Sequence, residues 1–205
     1  MTGTFFMGKN ISSRSMIFST PIWKSIYPRA KEENSRFGEF LLDQMADAGL
    51  DNTSRSLVNG WKSAEIDDLR ENPLWASLGA FVAEVCSEIL SVNIKSLRVQ
   101  SSGANIQGFG GYNTAHNHAN AILASVYYIS APPGAGSLVF HDPRSQAFFA
   151  NHYDCFQGKI LGRQKLGIKP DSGSLYIFPA WLMHEVEQNK SRDLRISIPI
   201  NIMNQ

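Results

Sequence analysis

His116-Asn117-His118 is followed 66 residues later by His184, and Arg195 comes 11 residues after that. His116 and His118 have one residue between them, so in an extended segment their rings project to the same side. Two imidazoles so placed, joined by a third from a distant strand, are what one metal ion needs. That set leaves coordination positions open for substrate and dioxygen. Imidazole suits Fe(II), Zn(II), Cu and Ni, and the spacing does not choose among them. The bland alternative is a solvated loop, since the pair lies in the polar tract Asn113-Thr-Ala-His-Asn-His-Ala-Asn120. Of the other histidines, His141 follows a strand and can support the site from behind, whereas His152 sits in a polar loop.

Arg195 adds to the pattern. Residues 194 to 202 alternate, so Arg195 and Ser197 share one face while Ile196 and Ile198 share the other. An arginine turned into a barrel is costly unless it meets an anion. Its planar fork grips a carboxylate through two parallel bonds, and the Ser197 hydroxyl can add a third. The competing expectation is that Arg195 faces solvent or pairs with Asp193 or Glu187. Of Tyr127 and Tyr128, only one can face the same interior, where its phenol would reach the same anion; ordinary aromatic packing is the alternative.

The elements that must hold these groups divide the chain into two textures. In the first half, Phe37, Phe40, Leu41 and Met45 recur at helical spacing over 34 to 48, with Gly49 as the left-handed stop. A second helix is expected with Asn72 as cap and Pro73 in its first position. Trp75, Leu78, Val82, Val85 and Ile89 would line its apolar face. After Lys95 come short β-branched or aromatic runs over 97 to 107, 122 to 130, 136 to 141, 174 to 178 and 194 to 202. Gly, Pro, Asn and Asp clusters separate them. Met16 to Trp23, broken by Pro21, is expected as an edge strand. The expected fold class is α+β, mainly β: a double-sheet jelly roll with the N-terminal helices buttressing one face. Residues 1 to 15 are expected as a flexible tail, with one domain over 16 to 205.

Bulk composition narrows the function classes. The chain of 205 residues carries 19 Lys and Arg against 18 Asp and Glu, for a net charge of +1, so no basic stripe marks a nucleic-acid partner. Cys86 and Cys155 cannot build a disulfide framework, which points to a reducing compartment. Without an 18-residue apolar run, a soluble, cytoplasmic protein is expected.

Taken together, these segments resemble the iron(II)/2-oxoglutarate-dependent oxygenases, in the branch that carries an H-x-H motif. The resemblance rests on His116-Asn-His118, Ala124-Ser-Val-Tyr-Tyr-Ile129 and Gly136-Ser-Leu-Val-Phe-His-Asp-Pro-Arg144. It continues through Phe178-Pro-Ala-Trp-Leu-Met-His184 and Arg195-Ile-Ser-Ile198, with Asn59-Gly-Trp-Lys-Ser63 upstream. It implies a double-stranded β-helix of cupin-like type and iron held by His116, His118 and His184. It also implies 2-oxoglutarate held by Arg195 with help from Ser197 and Tyr128, and O2 as co-substrate. The implied reaction is hydroxylation of a small-molecule or peptide substrate with release of succinate and CO2; a homodimer is common for such barrels. One departure stands out. The wider superfamily uses two histidines and a carboxylate, and the carboxylate position is His118 here. Asp142 is the nearby acid that could restore the usual triad; otherwise Asp142 and Arg144 border the substrate mouth or pair in a turn. Trp181 and Phe178 are candidates for the cavity wall. Two rivals stay open: a three-histidine metalloenzyme that ignores 2-oxoglutarate, and a non-catalytic jelly-roll binding module.

Overall fold

The computed structural model describes residues 19 to 48, 56 to 144 and 165 to 205. The expected N-terminal tail, the Gly49 stop, His152 and Cys155 lie outside the described residues. The described residues form ten strands: β1 (Trp23–Ile26), β2 (Leu57–Lys62), β3 (Leu97–Ser101), β4 (Asn105–His116), β5 (Leu123–Ser130), β6 (Leu138–His141), β7 (Lys165–Ile168), β8 (Ser174–Pro179), β9 (His184–Val186) and β10 (Arg195–Asn204). They make one sheet in the order β1-β8-β5-β10-β4-β9-β6-β7, with β2 added beside β4 and β3 beside β10. All the pairings are antiparallel.

The two faces of the sheet bury different things. On β10, Ile196, Ile198, Ile200 and Ile202 join the core formed with the helices, together with Tyr127 and Ile129 of β5. The opposite face of β5 sends Ala124, Val126 and Tyr128 into a second core with Phe140, Tyr176 and Phe178. The period of two thus assigns alternate side chains to the helix side and to the barrel interior. β4 serves both layers: residues 105 to 107 pair with β10, while Asn113 and His116 pair with β9. Gly108-Phe-Gly-Gly111 lies between, and Gly110 takes φ +79°, a conformation that lets the strand bend from one layer to the next.

Helix α1 (Ala30–Ala48) buries Phe37 and Leu41, one turn apart, and opens with Glu32 and Glu33 in its first turn, where the helix dipole favours acids. Helix α2 (Ala76–Leu90) buries Leu78, Val82, Ala83 and Cys86 and ends at Ser91 in the left-handed conformation. Phe37 packs on Trp75 with ring centroids 4.4 Å apart. Two expectations at the element ends need correction. Asn72 does not cap α2: its side chain accepts from the Leu74 amide, closing a local turn that competes with capping, and the helix begins at Ala76. Among the described residues the edge strand begins at Trp23, after Pro21 rather than around it; residues 16 to 18 of the expected strand lie outside them. The run from 97 to 107 is also two strands, separated by Gly103 at φ +99°.

Candidate metal centre

His116 ends β4, His184 begins β9, and the two are directly paired across those strands. His118 lies just beyond β4, its backbone amide donating to Ala180 O at 2.9 Å. The ligand atoms of the three histidines all lie within 4.8 Å of one another. Among the described residues, the sequence pattern and the fold therefore agree on where a metal would go.

Each ring is oriented from behind. His116 Nδ1 is 2.7 Å from Thr114 O, and His184 Nδ1 is 2.9 Å from Leu182 O. A carbonyl can only accept, so both rings carry their proton on Nδ1 and present a bare Nε2. His118 Nδ1 lies 2.5 Å from Asn201 Oδ1. His118 Nε2 and His184 Nε2 then face each other at 3.3 Å. Two nitrogens bound at about 2.1 Å to one ion, with an angle between about 90° and 109°, stand about 3.0 to 3.4 Å apart. The observed distance fits two nitrogens that share one ion.

Burial favours the neutral, metal-competent form of all three. It pulls His184 down to about 3, helped by the other histidines. His118 falls to about 4 for the same first reason, with His116 and Lys62 adding repulsion. His116 is lowered too, by burial and then Lys62, against the pull of the Thr114 carbonyl. Phe178, buried, packs edge-on to His184 with centroids 4.6 Å apart and so walls the site.

Arg195 is fully buried and points into the barrel. Nε and Nη2 donate to Gln107 Oε1 at 3.0 and 2.7 Å, and Nη2 also reaches Gly111 O at 3.2 Å. Nη1 donates to Glu187 O at 2.9 Å and to Ala135 O. Every acceptor is a neutral amide oxygen. The expected pairing with a Glu187 or Asp193 carboxylate does not occur: the Glu187 carboxylate accepts from the Ser137 amide instead. Burial accordingly lowers the Arg195 pKa, with Tyr128 opposing. The Tyr128 hydroxyl is buried without a hydrogen-bond partner, and burial raises its pKa. Tyr127 takes the other face and donates to Asn34 Oδ1 of α1.

Ser197 pairs with Tyr128 on one side and with Asn105 on the other, and Asn105 pairs with Lys62. Directly opposed residues share a face, so Tyr128, Ser197, Asn105 and Lys62 form a polar row across the interior. A second row runs Arg195, Gln107, Gly60. A Cβ on Gly60 would stand 2.8 Å from the Gln107 side chain, so glycine is required there for Gln107 to lie flat. Gln107 in turn donates to Asn113 Oδ1 at 3.1 Å, linking the arginine to the histidine end. Asn105, Asn113, Ser197 and the three histidines line one cavity of about 30 Å³, roughly the room one or two waters need.

Asp142, the acid considered as a third ligand, is not in the histidine cluster; both its oxygens are engaged by Arg144 at 2.6 to 3.0 Å. The pairing, with Arg144 foremost, holds its carboxyl below the usual range. Trp181 is 55 % exposed and so is no part of the buried wall. His141 stands 3.2 Å from a Glu185 oxygen, off the histidine cluster. Residue-by-residue reading missed Gln107, Asn105, Asn113, Lys62 and Asn201. The signal for Asn201 was present: the alternation Arg195-Ile-Ser-Ile-Pro-Ile-Asn201 places it on the arginine's face.

Residues 101–201 match a protein-family model described as "Putative 2OG-Fe(II) oxygenase". No curated protein matches the chain. Among solved structures, a Pseudomonas putida prolyl-4-hydroxylase superposes with a TM-score of 0.64 at 12 % identity, covering 91 % of this chain and 94 % of that one. The α-ketoglutarate-dependent carbocyclase SnoK from nogalamycin biosynthesis gives 0.62 at 12 % identity, covering 90 % and 80 %. HygX from Streptomyces hygroscopicus, crystallised with nickel and 2-oxoglutarate, gives 0.59 at 12 % identity, covering 91 % and 84 %. At these identities the likeness is one of fold, the double-stranded β-helix.

Proposed function

We propose that the chain is a 2-oxoglutarate- and Fe(II)-dependent oxygenase, the family whose model residues 101–201 match, and that it hydroxylates a small-molecule or peptide substrate with Arg195, Tyr128 and Ser197 seating the oxoacid. The observation that carries this reading is the buried guanidinium with only neutral acceptors, together with the buried, unpartnered Tyr128 hydroxyl on the same face of the sheet. Bound iron would supply O2 activation coupled to decarboxylation of 2-oxoglutarate to succinate and CO2.

The protein's own part is placement. His116, His118 and His184 would offer three neutral nitrogens on one side of the ion, leaving the other side for oxoacid and O2. Arg195 would take the far carboxylate of the oxoacid, with the Tyr128 phenol and the Ser197 hydroxyl as further donors. Phe178, Leu138 and Val126 form the apolar side of the same cavity. Seating the far carboxylate on Arg195 would displace the Gln107 amide oxygen that now occupies its fork. Asp142 and Arg144 pair at the end of β6; with the exposed Trp181, they are proposed as the substrate-side border. No described helix is long and apolar enough to cross a membrane. The buried free thiol of Cys86 supports a cytoplasmic setting.

Anaerobic addition of Fe(II) and 2-oxoglutarate should produce a weak visible charge-transfer band, lost in His116→Ala and His184→Ala. Arg195→Ala should keep the metal yet weaken oxoacid affinity at least about tenfold, as loss of charge-assisted hydrogen bonds worth about 1.5–3 kcal/mol demands. Metal binding with no response to the oxoacid would favour the three-histidine enzyme that ignores 2-oxoglutarate. No stoichiometric metal at all would leave only a binding module.

A further inference from the structure

We propose that Asn201 is a positioning residue of the metal centre, its side-chain oxygen fixing the tautomer and orientation of His118 so that this histidine serves as the third ligand. The inference rests on the metal-centre reading above and deepens it.

The three histidines are not held alike. His116 and His184 each use a carbonyl two residues back on their own segment, so the local backbone orients them wherever the strand goes. His118 has left its strand, and its partner lies 83 residues away in sequence. That partner is firmly placed. Asn201 pairs with Ala124 of β5 on one side and Gln100 of β3 on the other, so its backbone sits inside the sheet rather than at an edge. The alternation of β10 turns its side chain inward with Arg195 and Ser197. One strand would thus carry both the anchor for the oxoacid and the anchor for the third ligand.

The tautomer follows from satisfiability. With Oδ1 toward His118, Nδ1 must donate and Nε2 is bare, completing three converging lone pairs. With the amide reversed, His118 would carry its proton on Nε2 and donate it to His184 Nε2 across the 3.3 Å gap. That arrangement closes the site to metal. The observed orientation, with Oδ1 toward the ring, is thus the one that leaves His118 Nε2 free to serve as a ligand. The neutrality of Asn201 matters as well. All three rings lean on neutral oxygens, so no carboxylate offsets the charge of a divalent ion, which favours an anionic co-substrate.

The test compares wild type, Asn201→Leu and Asn201→Asp by anaerobic titration with Co(II), read by calorimetry and by the visible Co(II) spectrum. Wild type should bind one equivalent. Asn201→Leu should lose about 10–100-fold in affinity, the usual effect of removing a group that orients a ligand. Asn201→Asp should keep wild-type affinity or exceed it, with a shifted spectrum because a carboxylate now stands behind the ring. In a His118→Ala background, Asn201→Leu should add nothing, a readout that a purely structural role would not give. Wild-type affinity and spectrum in Asn201→Leu would overturn the inference while leaving the metal centre intact. Absence of Co(II) binding in wild type would remove both. If Asn201→Leu fails to fold, Asn201→Asp decides, and an unchanged spectrum there overturns the proposal.

Discussion

Gln107 occupies the fork of Arg195 where a carboxylate would sit, and it does so with a neutral oxygen. A buried cation held only by amide oxygens keeps its full charge available to an incoming acid. Gln107→Glu would put a charge-matched acid in the fork with almost no change in shape. The oxoacid would then compete against an internal carboxylate. The KM for 2-oxoglutarate, followed by succinate release, should rise at least about tenfold, since charge-assisted bonds of about 1.5–3 kcal/mol are at stake. Affinity for Ni(II) should change little, because the Gln107 side chain hydrogen-bonds to Arg195 and Asn113 rather than to a metal-site histidine. An unchanged KM would mean that the oxoacid does not use Arg195.

At the scale of elements, the turn between β5 and β6 and the start of α1 do more than connect. Gly136 adopts φ +84°, and a Cβ there would lie 2.6 Å from Glu187 O, the carbonyl that accepts from Arg195. Gly136→Ala should cost about 1–3 kcal/mol in denaturant melts, through backbone strain, and should also raise the KM for the oxoacid by displacing that acceptor. Glu33, 4 % exposed, accepts from Tyr27 Oη at 2.6 Å and Ser77 Oγ at 2.7 Å and pairs with Arg29 at 2.8 Å, tying α1 to β1 and α2. Burial alone would raise its pKa, but the two hydroxyl donors and the Arg29 and Arg36 charges outweigh it and the pKa is lowered. A lowered carboxyl contributes stability that is present above the unfolded value near 4.5 and is lost as pH falls through the lower folded value. Glu33→Gln should therefore destabilise the protein at pH 7 by about 1–3 kcal/mol. That difference should shrink below about pH 4.5 when unfolding is followed against pH, and a constant difference would contradict the assignment.

For the whole molecule, metal and fold should be linked. Two of the ligands lie at and just after the end of β4, and the third comes from β9, 66 residues beyond His118, so an unfolded chain does not hold all three together. Ni(II) at 100 times its Kd should add about 2.7 kcal/mol, raising Tm by about 5–10 °C for a protein of this size. A chelator should reverse the gain, and His184→Ala should show none. The same topology explains why α1 and α2 matter to chemistry they never touch. They cover the isoleucine face of β10, whose other face carries Arg195, Ser197 and Asn201. Loosening the helix side would shift the register that aligns the interior rows.

The sequence by itself determined the kinds of chemistry and the faces that carry them. The period of two in β10 put Arg195 and Ser197 on one face, that of β5 split Tyr127 from Tyr128, and the H-x-H pair and His184 supplied candidate nitrogen ligands. These are local consequences of strand geometry and residue type, so they can be read from neighbours in the chain. What only the tertiary structure decided depended on distant segments meeting. It chose His118 over Asp142 as the third member of the cluster, because Arg144 already holds that acid. It gave Arg195 neutral partners, among them the backbone carbonyl of Glu187 rather than its carboxylate, set Trp181 outside, and brought Asn201 behind His118 across 83 residues. Alternation tells which way a side chain turns; only strand register and the bend of β4 tell what it meets.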